Sequence, residues 1–120
     1  MAHGTRSIWM DTTDPVRFPR LDRNATADVV VIGAGQAGVA AAYLLAREGA
    51  RVVLLDKEQP GGGESGRTSA HLTSWIDDGV ELIARQHGAD AARHIVRSHG
   101  AAVDWIEQVA AREGIDCGFR

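Results

Sequence analysis

The segment from Asp28 to Asp56, DVVVIGAGQAGVAAAYLLAREGARVVLLD, constrains the fold more than any other part of the chain. It contains a β-branched apolar run, a glycine-rich turn, a stretch with apolar residues at helical spacing, and a second apolar run. Neither apolar run alternates with polar residues, which is typical of strands buried on both faces of a parallel sheet. The segment therefore predicts strands over 29–32 and 52–55 around a helix that ends near Gly49.

The turn between the first strand and the helix has the spacing GxGxxG. In dinucleotide-binding folds the first glycine permits a tight turn, the second lets the backbone approach a pyrophosphate, and the third permits close helix–strand contact. N–H groups at the helix start, aided by the helix dipole, then face the phosphates. A glycine-rich turn without a ligand is the alternative. The residues predicted to bind the cofactor here are Gly33, Ala34, Gly35, Gln36, Ala37 and Gly38.

An acidic residue, Asp56, follows the second predicted strand. At this position a carboxylate can accept hydrogen bonds from the ribose hydroxyls of an adenosine, and its charge disfavours the 2′-phosphate of an NADP-type ligand. The adjacent Lys57 weakens that exclusion. The alternative is a plain exposed acid at a strand end. We predict that Asp56 and Lys57 contact the cofactor.

A second glycine-rich segment, QPGGGESGRTSAHLT, covers residues 59–73. The guanidinium of Arg67 can pair with a diphosphate or stabilise negative charge on a reduced ring. Ser65 and Thr68 can donate hydroxyl protons to the same ligand or satisfy the backbone of the loop. His71 can contact a ligand ring, transfer a proton or carry a covalent attachment, or it can be a structural histidine. Because a NAD-binding fold does not require such a loop directly after the second strand, the segment favours FAD.

The flanking regions complete the predicted organisation. Residues 1–27 combine scattered apolar residues with prolines, which predicts an extended N-terminal arm or a frayed terminus. Helices are predicted over 80–86 and 90–113, and the last six residues resemble the beginning of a third strand. With neighbours on one side only, the first strand would be an apolar edge open to another chain. We therefore expect either a partner chain that completes the sheet or a truncated chain.

Composition excludes several classes of function. Thirteen Lys and Arg against sixteen Asp and Glu give a net charge of −3, which argues against binding nucleic acid or an anionic membrane. The single cysteine, Cys117, excludes an internal disulfide and a multi-cysteine metal site, and His94 and His99 lack the spacing of a metal pair, so no metal is predicted. No apolar run is long enough for a signal-peptide core or a membrane span. We expect a cytoplasmic protein.

Two segments, DVVVIGAGQAGVAAAYLLAREGARVVLLD and GGGESGRTSAHLTSW, resemble the amino-terminal part of FAD-dependent oxidoreductases of the D-amino-acid oxidase superfamily. The G-x-S-G-R pattern in the second is most similar to the subgroup whose full-length members end in a Rieske iron–sulfur domain. The resemblance implies an α/β fold in which residues 28–120 form an incomplete Rossmann-like FAD/NAD(P)-binding domain, a strand–helix–strand start followed by two further helices. It also implies that the glycines at 33, 35 and 38 meet the FAD pyrophosphate and that Asp56 meets the adenosine ribose. Ser65, Arg67 and Thr68 would face the diphosphate or the flavin.

The resemblance also implies an activity. Family members transfer a hydride or its equivalent from a C–N or similar substrate bond to the flavin, and they are several times longer than this chain. The expected function is therefore the FAD-binding portion of an oxidoreductase that oxidises a small molecule of the amine or amino-acid type, with substrate contacts supplied by a domain outside this chain. Two alternatives stay open, namely a non-catalytic nucleotide-binding module or subunit completed by a partner chain, and a fragment of a NAD-dependent dehydrogenase.

Overall fold

The computed structural model describes residues 7–14 and 16–119, and the chain divides into two compact units. The first unit extends to Ser69 and the second begins at Ala70. The predicted boundary between arm and domain, at residues 27 and 28, thus falls inside the first unit. The two units are described separately below.

The first unit contains the predicted strand–helix–strand arrangement. Its elements in chain order are α1 (Ile8–Thr12), β1 (Val29–Ile32), α2 (Gln36–Arg47), β2 (Val52–Leu55) and a 3-10 turn (Glu64–Arg67). The two strands pair in parallel, with Val29 opposite Val52 and Ile32 opposite Leu55, and α2 packs against both. The predicted α/β fold with a parallel sheet is therefore confirmed.

Polar contacts fix the amino-terminal end of the strand pair. The Asp28 carboxylate accepts hydrogen bonds from the Arg51 backbone N–H at 2.9 Å and from its guanidinium Nη2 at 2.7 Å, while the Asp28 N–H donates to the Arg51 carbonyl at 2.9 Å. The guanidinium and backbone N–H of Arg51 lower the pKa of the Asp28 carboxyl. In the connection from α2 to β2, Gly49 adopts φ +89° directly after the C-cap residue of α2, so the helix ends there as predicted. The strands are thereby aligned before they reach the glycine turn.

One face of β1 is open. Val30 is 56% exposed and Ile32 is 86% exposed, whereas Val29 and Val31 are half-buried. The prediction of a strand buried on both faces is wrong for this structure, because the sheet of the described residues has two strands and α2 supplies its cover. The predicted apolar edge is confirmed, since β1 pairs with β2 alone among these residues.

The amino-terminal arm is not extended throughout. The Ser7 hydroxyl accepts a hydrogen bond from the Met10 N–H at 3.4 Å and caps the short helix α1. Residues 16–27 then run without helix or strand, as the predicted arm does. The arm prediction at Pro15 and at residues 1–6 lies outside the described residues.

The second unit consists of two helices, α3 (Gly79–His87) and α4 (Ala89–Arg112), which pack against each other. They confirm the predicted helices, and Ile83 of α3 and Ala92 and Ala110 of α4 are buried. The third strand expected at the end of the chain is wrong for residues 115–119. The Ile115 N–H donates to the Ala110 carbonyl at 2.8 Å, so the chain closes onto the end of α4 rather than joining a sheet.

Within residues 7–14 and 16–119, no helix is both long enough and apolar enough to cross a bilayer. In the same residues no three His, Cys, Asp or Glu side chains gather in a group that could hold a metal ion. The glycine turn and the second glycine-rich segment up to Ser69 lie in the first unit, whereas residues 70–73 of that segment belong to the second.

Candidate cofactor-binding site

A cleft of about 790 Å³ opens at the carboxyl ends of β1 and β2. Ligands of open α/β sheets bind at this edge. Three segments line the cleft, namely residues 32–35 after β1, residues 55–58 after β2, and residues 61–65 with Arg67 from the second glycine-rich loop. The structure therefore brings the two glycine-rich segments of the sequence to one cleft.

Two glycines of the first turn are required by the backbone itself. Gly33 adopts φ +102°, a conformation that L side chains rarely take. A Cβ at Gly38 would lie 1.8 Å from the Gly33 carbonyl oxygen, so a side chain there cannot be accommodated without moving the helix from the turn. The predicted tight turn and close helix–strand contact are both present.

Asp56 joins β2 to the glycine turn. Its Oδ2 accepts a hydrogen bond from the Ala34 N–H at 2.7 Å, and its Oδ1 accepts one from the Glu58 N–H at 2.8 Å. These two N–H groups, Ala34 first, lower the pKa of the Asp56 carboxyl, and the charge of Lys57 acts in the same direction. Asp56 is exposed, and these two N–H groups hold its carboxylate in one orientation. Each oxygen keeps a lone pair for a further donor such as a ribose hydroxyl.

Ser65 caps α2 from the second glycine-rich loop. The N-cap residue of α2 is Gly35, which has no side chain to satisfy the helix start, and the Ser65 Oγ accepts the Gln36 N–H at 3.0 Å in its place. A Cβ at Gly35 would lie 3.2 Å from this oxygen, which is tighter than ordinary contact. The Ser65 hydroxyl proton is still available for an acceptor in the cleft.

The start of α2 also retains open hydrogen-bond donors. No described residue accepts the N–H groups of Gly35, Ala37 or Gly38, whereas Ala34 and Gln36 already donate to side chains of this chain. Gly33, Ala34 and Gly35 line the cleft, whereas Gln36, Ala37 and Gly38 are not among its lining residues, and contact of these six residues with a cofactor stays a prediction. Open N–H groups at a helix start, together with the helix dipole, form a site for an anion.

Arg67 organises the loop that closes the cleft. Its Nη1 donates to the Gly63 carbonyl at 2.8 Å and to the Gly62 carbonyl at 3.1 Å. No hydrogen bond links its Nη2 or Nε to another described residue, so these atoms can donate to a ligand. Arg67 thus has a structural role within the loop, and its remaining donors leave the predicted pairing with a diphosphate possible.

Two glycines of this loop make close contacts that the sequence prediction did not include. The Gly61 N–H donates to the Ala34 carbonyl at 2.9 Å, which ties the loop to the first glycine turn. A Cβ at Gly66 would lie 2.4 Å from the Gly61 carbonyl oxygen. The second glycine of the G-x-S-G-R pattern, Gly66, was the sequence signal that could have revealed this close approach of two backbone segments.

Helix α1 holds the outer side of the same loop. The Ser7 hydroxyl donates to the Gly66 carbonyl, and the Trp9 Nε1 donates to the Thr68 carbonyl at 2.9 Å. Thr68 is exposed and is not among the described residues that line the cleft, and its contact with the cofactor stays a prediction. His71 lies in the second unit on an exposed stretch without regular structure, and its contact with the cofactor stays a prediction.

The charges of the cleft are mixed. Asp56, Glu58 and Glu64 line it together with Lys57 and Arg67, so net charge does not select an anion here. Attraction for a diphosphate must come from directed donors, and those that line the cleft are the N–H of Gly35, the Ser65 hydroxyl and the guanidinium of Arg67. The cleft is lined by apolar Ile32 and Leu55, by a carboxylate that can accept hydrogen bonds from a ribose and by donors for a diphosphate, and this combination fits an adenine dinucleotide.

Comparison with known proteins agrees with this geometry. The family model for FAD dependent oxidoreductases (DAO) matches residues 28–120. YhfW of Bacillus subtilis (strain 168), which carries the name of a Rieske 2Fe-2S iron–sulfur protein, is 33% identical over 111 residues, which cover 92% of this chain and 22% of YhfW. OrdL of Haemophilus influenzae, which carries the name of an oxidoreductase, is 31% identical over 116 residues, covering 96% of this chain and 27% of OrdL.

A third relative, the gamma-glutamylputrescine oxidoreductase of Escherichia coli (strain K12), is 32% identical over 103 residues, covering 86% of this chain and 24% of that enzyme. The chain thus spans about a quarter of the length of the curated relatives it matches. No solved structure matches. Since the family match includes both strands, the glycine turn and the second glycine-rich loop, the chain belongs to the family of FAD-dependent oxidoreductases, and the cofactor of that family is FAD.

Proposed function

We propose that this chain forms the FAD-binding part of an oxidoreductase that oxidises a small molecule of the amine or amino-acid type. The observation that carries the proposal is the cleft at the carboxyl ends of β1 and β2, which is lined by Gly35 at the start of α2 and by the oriented Asp56 carboxylate. The substrate class is supported by the name of the relative that acts on gamma-glutamylputrescine.

The proposed role of each residue follows from which of its hydrogen-bonding groups are already used within the chain and which are still open. The N–H groups of Gly35, Ala37 and Gly38 donate to the diphosphate, and Asp56 accepts the ribose hydroxyls. When bound, FAD supplies the two-electron acceptor, and the residues of this chain bind and orient it. Ser65 and Arg67 add donors from the second loop, while Lys57 lies beside Asp56. Thr68 and His71 keep their predicted contacts as hypotheses.

The open face of β1 supports the proposal that further protein takes part. Val30 and Ile32 present an apolar surface and an unpaired strand edge, which proteins normally cover. We propose that the cover is either the remainder of a longer polypeptide or a partner chain, and that this part supplies the contacts to the substrate. The charge balance gives no reason to expect nucleic acid as a partner.

The experiment that tests the proposal is cofactor binding by the 120-residue chain. The purified protein is expected to retain, or to take up, FAD with the flavin absorbance at about 450 nm, and to bind FAD more tightly than NAD or NADP in calorimetric titration. Gly35→Val is expected to abolish retention, because the valine side chain would crowd the Ser65 hydroxyl, 3.2 Å from the Cβ position, and would meet the diphosphate at its proposed place. A colourless protein that also fails to bind added FAD would contradict the proposal.

The second candidate is a nucleotide-binding subunit without catalysis of its own, and the open sheet favours it. The two candidates differ in the anaerobic reduction of bound flavin. Bleaching of the flavin band by an amine or amino acid, in the chain alone or after its covering protein is added, supports the oxidoreductase. Tight FAD binding with no reduction by any substrate under either condition supports the non-catalytic subunit.

A further inference from the structure

A second cavity, of about 910 Å³, lies against the first cleft in the same unit. Its outer wall is the arm segment 16–21, which has no helix or strand of its own. Its inner wall is the end of β2 and the turn that follows, residues 54–60. Asp56, with its two following residues, lines both cavities, so they meet at this carboxylate.

The chemistry of the arm side suits a flat, electron-rich ring. Phe18 is 71% exposed and Leu21 is 54% exposed although both line the cavity, so their apolar surface lacks cover from the described residues. Arg17 and Arg20 line the same space, and neither makes an ion pair or hydrogen bond with another described residue. Phenyl and guanidinium groups both stack on nucleobases.

The geometry of a dinucleotide connects the two cavities. With the diphosphate at the start of α2 and the ribose at Asp56, the base attached to that ribose must continue past Asp56. The two cavities share Ala34, Leu55 and residues 56–58 as lining, so the second cavity adjoins the first at Asp56 and offers space for that base. A cavity of this size lies within the range of small-molecule sites.

We infer that arm segment 16–21 forms the outer wall of the adenine pocket, with Phe18 stacking on the base and Arg17 and Arg20 lying over it. The inference rests on the proposed function, because it takes the diphosphate and ribose positions from it. It gives the arm a role in binding and makes residues before the first strand part of the cofactor site.

The test is calorimetric titration of the 120-residue chain with ADP and with inorganic pyrophosphate. Phe18→Ala is expected to weaken ADP binding by roughly 5- to 150-fold, the range for loss of one base-stacking aromatic, and to leave pyrophosphate binding unchanged. Phe18→Tyr keeps the ring and is expected to bind ADP as the wild type does. Phe119→Ala, at the only other phenylalanine, is the matched control and is expected to change neither affinity.

A second measurement follows the arm directly by hydrogen–deuterium exchange. ADP is expected to slow exchange in segment 16–21, whereas pyrophosphate is not. Equal losses of ADP and pyrophosphate affinity in Phe18→Ala would assign Phe18 to the fold and overturn the inference. Protection of the arm that follows chain concentration rather than ADP would place a second copy in the cavity, which also overturns it.

The two proposals fail in distinguishable ways. If the wild-type chain binds neither FAD nor ADP, the proposed function is wrong. If the wild type binds both and Phe18→Ala binds ADP equally well, the arm is not part of the adenine pocket, and the proposed function stands.

Discussion

Replacing Gly38 by alanine tests the contact on which the whole cleft depends. The new Cβ would lie 1.8 Å from the Gly33 carbonyl oxygen, whereas real Cβ atoms essentially never approach closer than 3.0 Å. The obstacle is a backbone carbonyl next to the end of β1, so no side-chain rotation can relieve it. The start of α2 must therefore move away from the turn, and the donors for the diphosphate move with it.

The energetic effect has two opposing parts. Overpacking of a close contact costs about 1–3 kcal/mol, occasionally more. The 1.8 Å approach to a backbone oxygen places Gly38→Ala towards the upper end of this range. Alanine in place of glycine inside a helix returns about 1 kcal/mol, and less at this position in the first turn. We expect a net loss of roughly 2 kcal/mol, which corresponds to a fall in the melting temperature of about 8 °C for a domain of this size.

The assay combines urea unfolding with titration of ADP, and Gly100→Ala is the matched control. Gly100 lies inside α4, and a Cβ there meets nothing within 4 Å. The same substitution is thus expected to stabilise the second unit by about 1 kcal/mol and to leave ADP binding unchanged. Hydrogen exchange of the β1 amides assigns each change in stability to its unit. The reasoning is refuted if Gly38→Ala keeps both the stability of the first unit and the affinity for ADP.

Two further substitutions separate the roles of the side chains around the turn. Asp56→Asn keeps an acceptor for the Ala34 N–H but loses the charge, so calorimetry is expected to show weaker ADP binding than in the wild type and stronger binding than in Asp56→Ala. The pKa of Asp56 is lowered in the folded protein, so its contribution to folding stability is fully present above the ordinary value of 3.8 and is lost only as the pH falls below that value. Asp56 is therefore ionised from pH 7 to pH 5, and its titration should not change the ADP affinity of the wild type over this range. Ser65→Ala removes the acceptor for the Gln36 N–H and is expected to lower stability by about 1 kcal/mol, measured by urea unfolding, whereas an unchanged midpoint would show that water replaces the hydroxyl.

The sequence predicted those parts of the fold that depend on short-range patterns. The strands at 29–32 and 52–55, the end of α2 at Gly49 and the two helices of the second unit follow from apolar runs, helical spacing and glycine positions, and the structure has all of them. The exposure of Ile32 was not predictable in this way. A run of apolar residues indicates that a strand is normally covered, but it does not indicate which residues supply the cover.

The contacts within the site were less predictable, because they join residues that are far apart in the sequence. Asp56 was identified from its distance to the glycine turn, yet its bond to the Ala34 N–H spans 22 residues and has no local signature. The bond from the Gln36 N–H to Ser65 spans 29 residues. The anchoring of the loop by Ser7 and Trp9 spans 59 residues in each case. Periodicity reports which residues share an element, whereas these bonds depend on how the elements meet.

These bonds explain why a second glycine-rich loop follows the second strand. The N-cap of α2 is Gly35, whose missing side chain leaves space beside the cleft and an uncapped helix start. Ser65 restores the cap from outside the helix, and Gly66 lets the loop approach its own backbone closely enough to place that serine. Arg67 then fixes the carbonyls of the preceding glycines. The loop therefore caps α2 without placing a side chain at Gly35. A diphosphate that approaches the backbone of the first turn needs both conditions, a capped helix and no side chain in its path.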